Sequence, residues 1–116
     1  MKLLSIEPIV PSGKDFEQSK QFFQALGFTL TWEDSNYADF EWDGCKFTLQ
    51  RFDKPDFASN YMLIVRISDA ASFRNYVIGK KLPEKFGIHI SAVNEKPYGK
   101  EVNIIDIAGV CWHFVE

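Results

Sequence analysis

His113 is the side chain best equipped for chemistry in this chain of 116 residues. A neutral imidazole can ligate a metal, take a proton or hydrogen-bond a ligand. On a strand it can equally be a half-exposed structural residue. His89, the other histidine, has no obvious acidic partner and reads as structural. Glu7 could meet a basic ligand or simply be solvated. Trp32, Tyr37 and Tyr98 could stack on a planar or cationic molecule, or pack where two subunits meet. Cys45 and Cys111 are too few and too far apart for a disulfide framework or a close metal-binding pair. With no adjacent base in the sequence to activate them, they read as reduced thiols of the cytosol.

The bulk composition narrows the function classes. The net charge is −3, and Lys80-Lys81 is the only basic doublet, so a nucleic-acid footprint is not expected. No run of 18 apolar residues exists to span a membrane. The first residues, Met1 to Glu7, become charged too soon for a secretory signal, so the expected location is the cytoplasm. Aromatic residues make up 16% of the chain, with 11 Phe, which is hard to bury completely at this size. An aromatic pocket or interface is the natural outlet for the excess.

The elements that position these residues follow from pattern. Residues 2–10 alternate loosely and read as a strand, ended by Pro11-Ser12-Gly13. Asp15 opens a helix with Gln18 three residues on, and Phe16, Phe22, Phe23 and Leu26 form its apolar stripe. Gly27 supplies a left-handed stop, with Phe28 folding back. Strands are predicted near 28–33, 37–42 and 45–51, and Asp43-Gly44 is a hairpin signal. Residues 54–60 read as a linker. The plan then restarts: a strand at 61–67, a helix capped by Ser68-Asp69 with stripe Phe73, Tyr76 and Val77 and a stop at Gly79, then strands near 88–93, 101–106 and 110–115. Asn94 to Lys100 reads as a loop. The order β-α-β-β-β thus occurs twice, in a module of about 1–53 and another of about 61–116, within one domain covering 1–116. The expected fold class is α+β, with curved mixed sheets forming a cleft.

Strand parity assigns the faces. Ala38, Phe40, Trp42, Phe47 and Leu49 should face the first helix, leaving Tyr37, Asp39, Glu41, Lys46, Thr48 and Gln50 on the open side. Leu4, Ile6 and Val10 should point to the core, and Glu7 to the cleft. In the second module Leu63, Val65, Ile67, Trp112 and Phe114 should pack. Met62, Ile64, Arg66, Cys111, His113 and Val115 should lie open.

Three segments carry a family resemblance: Asp15 to Phe23 ending in Leu26-Gly27-Phe28, Lys96-Pro97-Tyr98-Gly99-Lys100-Glu101, and Asp106 to Glu116. In this order the chain resembles the glyoxalase/bleomycin-resistance/extradiol-dioxygenase group, also called the vicinal oxygen chelate fold, and most of all its bleomycin-resistance branch. The resemblance implies a homodimer with two small-molecule clefts. Enzyme branches hold a divalent metal at positions that map to Glu7 or Pro8, Thr48, Met62 and His113. Of these only Glu7 and His113 could ligate well, because Met62 is a soft thioether and Thr48 a poor donor. The expectation is therefore a protein without a metal or other cofactor, sequestering an aromatic or cationic ligand without chemistry. The ligand set would be Trp32, Tyr37, Asp39, Thr48, Met62, Arg66, Tyr98, Gly99 and His113. The alternative is a metal-dependent lyase, isomerase or dioxygenase of the same superfamily.

Overall fold

A computed structural model describes residues 1–116. The chain forms two compact units, Met1–Asp53 and Lys54–Glu116.

The first unit contains β1 (Ile9–Pro11), α1 (Phe16–Leu26), β2 (Thr29–Glu33), β3 (Tyr37–Trp42) and β4 (Cys45–Gln50). Its sheet has the order β1-β4-β3-β2, with β1 parallel to β4 and the other pairs antiparallel. The Asp15 carboxylate accepts the Gln18 N–H at 3.0 Å and starts α1. Gly27, at φ 135°, ends it, and the Phe28 N–H closes back on the Phe23 carbonyl. Asp43 and Gly44 both take positive φ, which gives the hairpin turn that suits twisted strands. The core is aromatic. The Phe23 ring lies 5.0 Å from Phe22, 4.9 Å from Phe47 and 5.9 Å from Phe40. Each such ring, fully buried, stabilises by roughly 1.5–3 kcal/mol.

The expected strand over 2–10 is largely absent. Pairing with β4 begins only at Ile9, opposite Thr48. Pro8 has no N–H to extend the ladder backwards, although its carbonyl accepts from Thr48. Leu4 and Ile6, expected in the core, are more than 85% exposed, while Val10 is fully buried. Glu7 is exposed and takes a hydrogen bond from the Ser5 hydroxyl at 2.6 Å.

The second unit contains α2 (Pro55–Ser59), β5 (Met62–Arg66), α3 (Ala70–Gly79), α4 (Leu82–Phe86), β6 (His89–Ile90), β7 (Asn94–Lys96), β8 (Gly99–Ile105) and β9 (Cys111–Val115). The sheet order β5-β9-β8-β6 repeats the first unit's plan, with β5 parallel to β9. Trp112 and Phe114 are buried as parity predicts, and the Phe114 ring lies 4.2 Å from Phe73. Asp69 caps α3 through the Ser72 N–H, and the Glu116 carboxylate accepts the Ala70 N–H. Val77 is buried, but Tyr76 stays at the surface with Lys80 over its ring.

Three sequence expectations change here. The linker at 54–60 holds α2, because Pro55 is tolerated in a helix's first turn. Gly79 is the last residue of α3, as expected, but it does not end the helix by a left-handed turn. It stays helical, and the left-handed turn falls on Lys81 at φ 57°, directly before α4. The expected loop 94–100 contains β7, which pairs with β8 around the two-residue turn Pro97-Tyr98.

Candidate functional site

The open face of the second sheet carries a groove of about 540 Å³. Its lining comes from three neighbouring strands and one turn. β5 supplies Met62, Ile64 and Arg66, β9 supplies His113 and Val115, β8 supplies Glu101, and the β7–β8 turn brings in Tyr98. Register explains the convergence: Ile64 pairs with His113, and Arg66 with Val115, which pairs in turn with Glu101. Met62 and Ile64 are exposed large apolar residues, whereas Val115 is almost fully buried.

Glu101 organises the polar end. Only 3% of it is exposed. One carboxylate oxygen accepts from Tyr98 Oη at 2.8 Å, and the other meets His113 Nδ1 at 2.5 Å. Burial pushes this carboxyl up. The bonds from Tyr98 and His113 and the charge on His113 outweigh that push and hold it below the usual range. Bonding to Glu101, with burial second, raises the Tyr98 phenol. His113 Nε2 lies 3.4 Å from Cys111 Sγ, so both ring nitrogens have partners. Asn103, opposite His113 on β8, keeps a buried Oδ1 with no hydrogen-bond partner.

The first sheet carries a second polar row. Ile9, Thr48, Asp39 and Trp32 stand in register across β1, β4, β3 and β2. The Thr48 hydroxyl donates to Asp39 Oδ1 at 2.7 Å. Trp32 joins this row because β2 bulges between Leu30 and Trp32. The extra residue, Thr31, shifts the parity and turns Trp32 to Asp39's side. Tyr37 pairs with Gln50, whose amide lies 3.3 Å from its hydroxyl.

Of the predicted ligand set, Met62, Arg66, Tyr98 and His113 come together in the groove, and Trp32, Asp39 and Thr48 form the row in the first unit. Gly99 is a backbone residue: at φ 139° its Cα faces the Glu116 carbonyl so closely that any side chain would strike it. Ile64, Val115 and above all Glu101 were missing from the predicted set. Parity placed Ile64 and Val115 on the correct face. Glu101 gave no such signal, because its partner His113 lies 12 residues away and is reached only through the β8–β9 register.

No protein-family model and no curated protein sequence matches the chain. Solved structures do. The bleomycin-binding protein of bleomycin-producing Streptomyces verticillus, complexed with copper(II)-bleomycin, superposes with a TM-score of 0.79 at 20% identity, covering 99% of this chain and 97% of that one. The bleomycin resistance determinant encoded on the transposon Tn5 gives a TM-score of 0.81 at 19% identity, over 98% of both chains. The fold is that of the bleomycin-binding proteins. It is also that of a metal-containing relative: the fosfomycin resistance protein of Listeria monocytogenes, complexed with Mn(II) and sulfate, gives a TM-score of 0.74 at 11% identity over 99% of this chain and 90% of that one.

A divalent metal does not fit the residues present. No group of three or more His, Cys, Asp and Glu side chains stands close enough to hold one. His113 has Nδ1 on Glu101 and Nε2 on Cys111, Thr48 is bonded to Asp39, and Glu7 lies in the exposed segment before β1.

Proposed function

We propose that this chain binds and sequesters a small aromatic molecule, acting by burial and not by turnover. The observation that carries this reading is the groove of about 540 Å³, in which an apolar wall of Met62, Ile64 and Val115 meets the converging polar groups of Arg66, Tyr98, Glu101 and His113. Apolar walls supply affinity, and a few placed polar groups supply orientation. The Glu101 carboxylate is already bonded to His113 and Tyr98, so Arg66 is the group left to meet an acceptor on the ligand. The row Trp32, Tyr37, Asp39 and Thr48 is the proposed second contact set, and the indole beside Asp39 suits a cationic group. Gly99 serves the site by shaping the turn that carries Tyr98.

The antibiotic-binding character of proteins with this fold supports the reading. The chain is further proposed to work in the cytoplasm, as a homodimer of one domain spanning 1–116. Two free cysteines suit a reducing compartment. Leu3, Leu4 and Ile6 offer apolar surface to a second copy.

Thermal-shift titration with bleomycin-type glycopeptides and planar aromatic cations tests the binding. At least one compound should stabilise the protein, and Tyr98→Ala and Trp32→Ala should each weaken it about tenfold, the 1–3 kcal/mol typical of a lost aromatic stack. A flat response across the panel, unchanged in both variants, overturns the reading. A monomer mass by light scattering at all concentrations removes the dimer.

A further inference from the structure

Sequestration makes no use of Cys111, yet this thiol has a complete proton path. Its Sγ lies 3.4 Å from His113 Nε2. The other ring nitrogen is committed to Glu101 at 2.5 Å, which keeps a proton on Nδ1 and leaves Nε2 as the acceptor. Glu101 is held in turn by Tyr98. A nucleophile within reach of a base, itself oriented by a third group, is the constellation that activates thiols. Cys111 borders the groove: it pairs in register with Met62 and touches His113, both of which line it. Cys45 provides the contrast. It is exposed at the β3–β4 turn, and its thiol makes no hydrogen bond.

We infer that Cys111 is a nucleophile, with His113 as its base, for a soft electrophile held in the groove: an α,β-unsaturated carbonyl compound with an apolar or aromatic body. The apolar wall and Tyr98 suit such a body, and Arg66 can meet its carbonyl oxygen. Sγ bonds to the β-carbon as the π pair moves toward the carbonyl oxygen and forms an enolate. The thiol proton passes to Nε2, and the imidazolium, steadied by Glu101, returns it to the α-carbon. Nothing leaves, and no oxidant or reductant is consumed. Burial first, then the charges of Glu101 and Asp106, push the Cys111 thiol up. The thiol therefore stays protonated at neutral pH, and addition depends on His113. This inference rests on the same groove being a ligand site, and it turns passive sequestration into covalent capture.

The test is N-phenylmaleimide labelling at limiting reagent, read by intact mass and peptide mapping, with Cys45 as the internal clock. Exposure alone favours Cys45. The inference expects native Cys111 to react at least tenfold faster than Cys45. His113→Gln should slow Cys111 at least tenfold and leave the Cys45 rate unchanged. Urea unfolding of the unaltered protein should equalise the two thiols, which keeps the test valid even where the His113 variant is poorly folded. Native Cys45 labelling as fast as Cys111, or faster, overturns the inference. A parallel thermal-shift screen on Cys111→Ser separates the two readings. A ligand that stabilises this variant while the native protein shows no Cys111 preference leaves the groove standing and removes the nucleophile. Cys111 preference with no stabilising ligand does the reverse.

Discussion

The two halves share one topology and finish the same position differently. Thr48 in β4 and His113 in β9 each stand at the middle of the strand that pairs in parallel with the first strand of their unit. Thr48 bonds Asp39 on the adjacent strand, a short neutral-to-charged contact at a half-exposed site. His113 bonds a carboxylate that is almost completely buried and is also held by Tyr98. The difference shows where each half stores its stability and its chemistry. The first half is held by a cluster of Phe rings and keeps a simple polar face. The second has fewer stacked rings and a polar network that must be fully satisfied to be tolerated.

The largest expected effect tests the packing side of this contrast. Phe23→Ala should cost ~3–5 kcal/mol in urea unfolding, because it empties the centre of the aromatic cluster. Phe73→Ala, at a half-buried site on the corresponding helix, should cost roughly half as much. Equal losses would erase the distinction.

Next comes pH, whose effect belongs to the second half. Burial pushes Asp106 up to about 6, against the pull of N–H groups from Trp112, Val110, Gly109 and Ala108. A raised folded value means that this group's stability is complete below its unfolded value of 3.8 and is lost as pH rises through about 6. The loss is on the order of 3 kcal/mol. Glu101 has the opposite sign. Its folded value is depressed, so its contribution is present above 4.5 and is lost as pH falls through the folded value. Stability measured by urea titration should therefore peak on the acid side of neutrality. Asp106→Asn should flatten the descending limb and Glu101→Gln the rising one. A profile unchanged by both variants would falsify the assignment.

The polar pairs themselves give a smaller difference. Glu101→Ala removes the shared partner of the half-buried His113 ring and the Tyr98 hydroxyl and should cost ~1–3 kcal/mol. Asp39→Ala, at a half-exposed site, should cost under about 1 kcal/mol. The smallest effect is a gain. Lys81 holds a left-handed conformation without being glycine, so Lys81→Gly should stabilise by up to about 1 kcal/mol, visible as a small rise in Tm.

Local chemistry was readable from the sequence wherever both partners lie close along the chain. Asp15 and Gly27 bound α1 as their residue types require, Asp43-Gly44 forms its turn, and the alternation in β3, β4, β5 and β9 sorted the more buried residues from the more open ones, except that Val115, expected open, is buried. Leu4 and Ile6 misled because alternation says nothing about whether a neighbouring strand is there to be joined. Gly79 ends α3 where its type suggested, while the left-handed turn falls two residues later at Lys81, because a glycine permits such a turn without demanding it. In the groove, parity and motif had already singled out Met62, Arg66, Tyr98 and His113 as residues of one open face. Glu101 was not singled out, since its role depends on a pairing register that only the folded sheet displays.

Thr31 does in space what a single inserted base does to a reading frame. One surplus residue in β2 changes which side chains are read by the interior and which by solvent, and the sheet beyond it is translated differently. If the strand ran on regularly from Leu30, Thr31 would stand opposite Asp39 and Trp32 opposite Ala38, on the other side of the sheet, with every letter of the sequence intact. Straightening the bulge would therefore take the tryptophan off the side of Asp39 and Thr48 without mutating it.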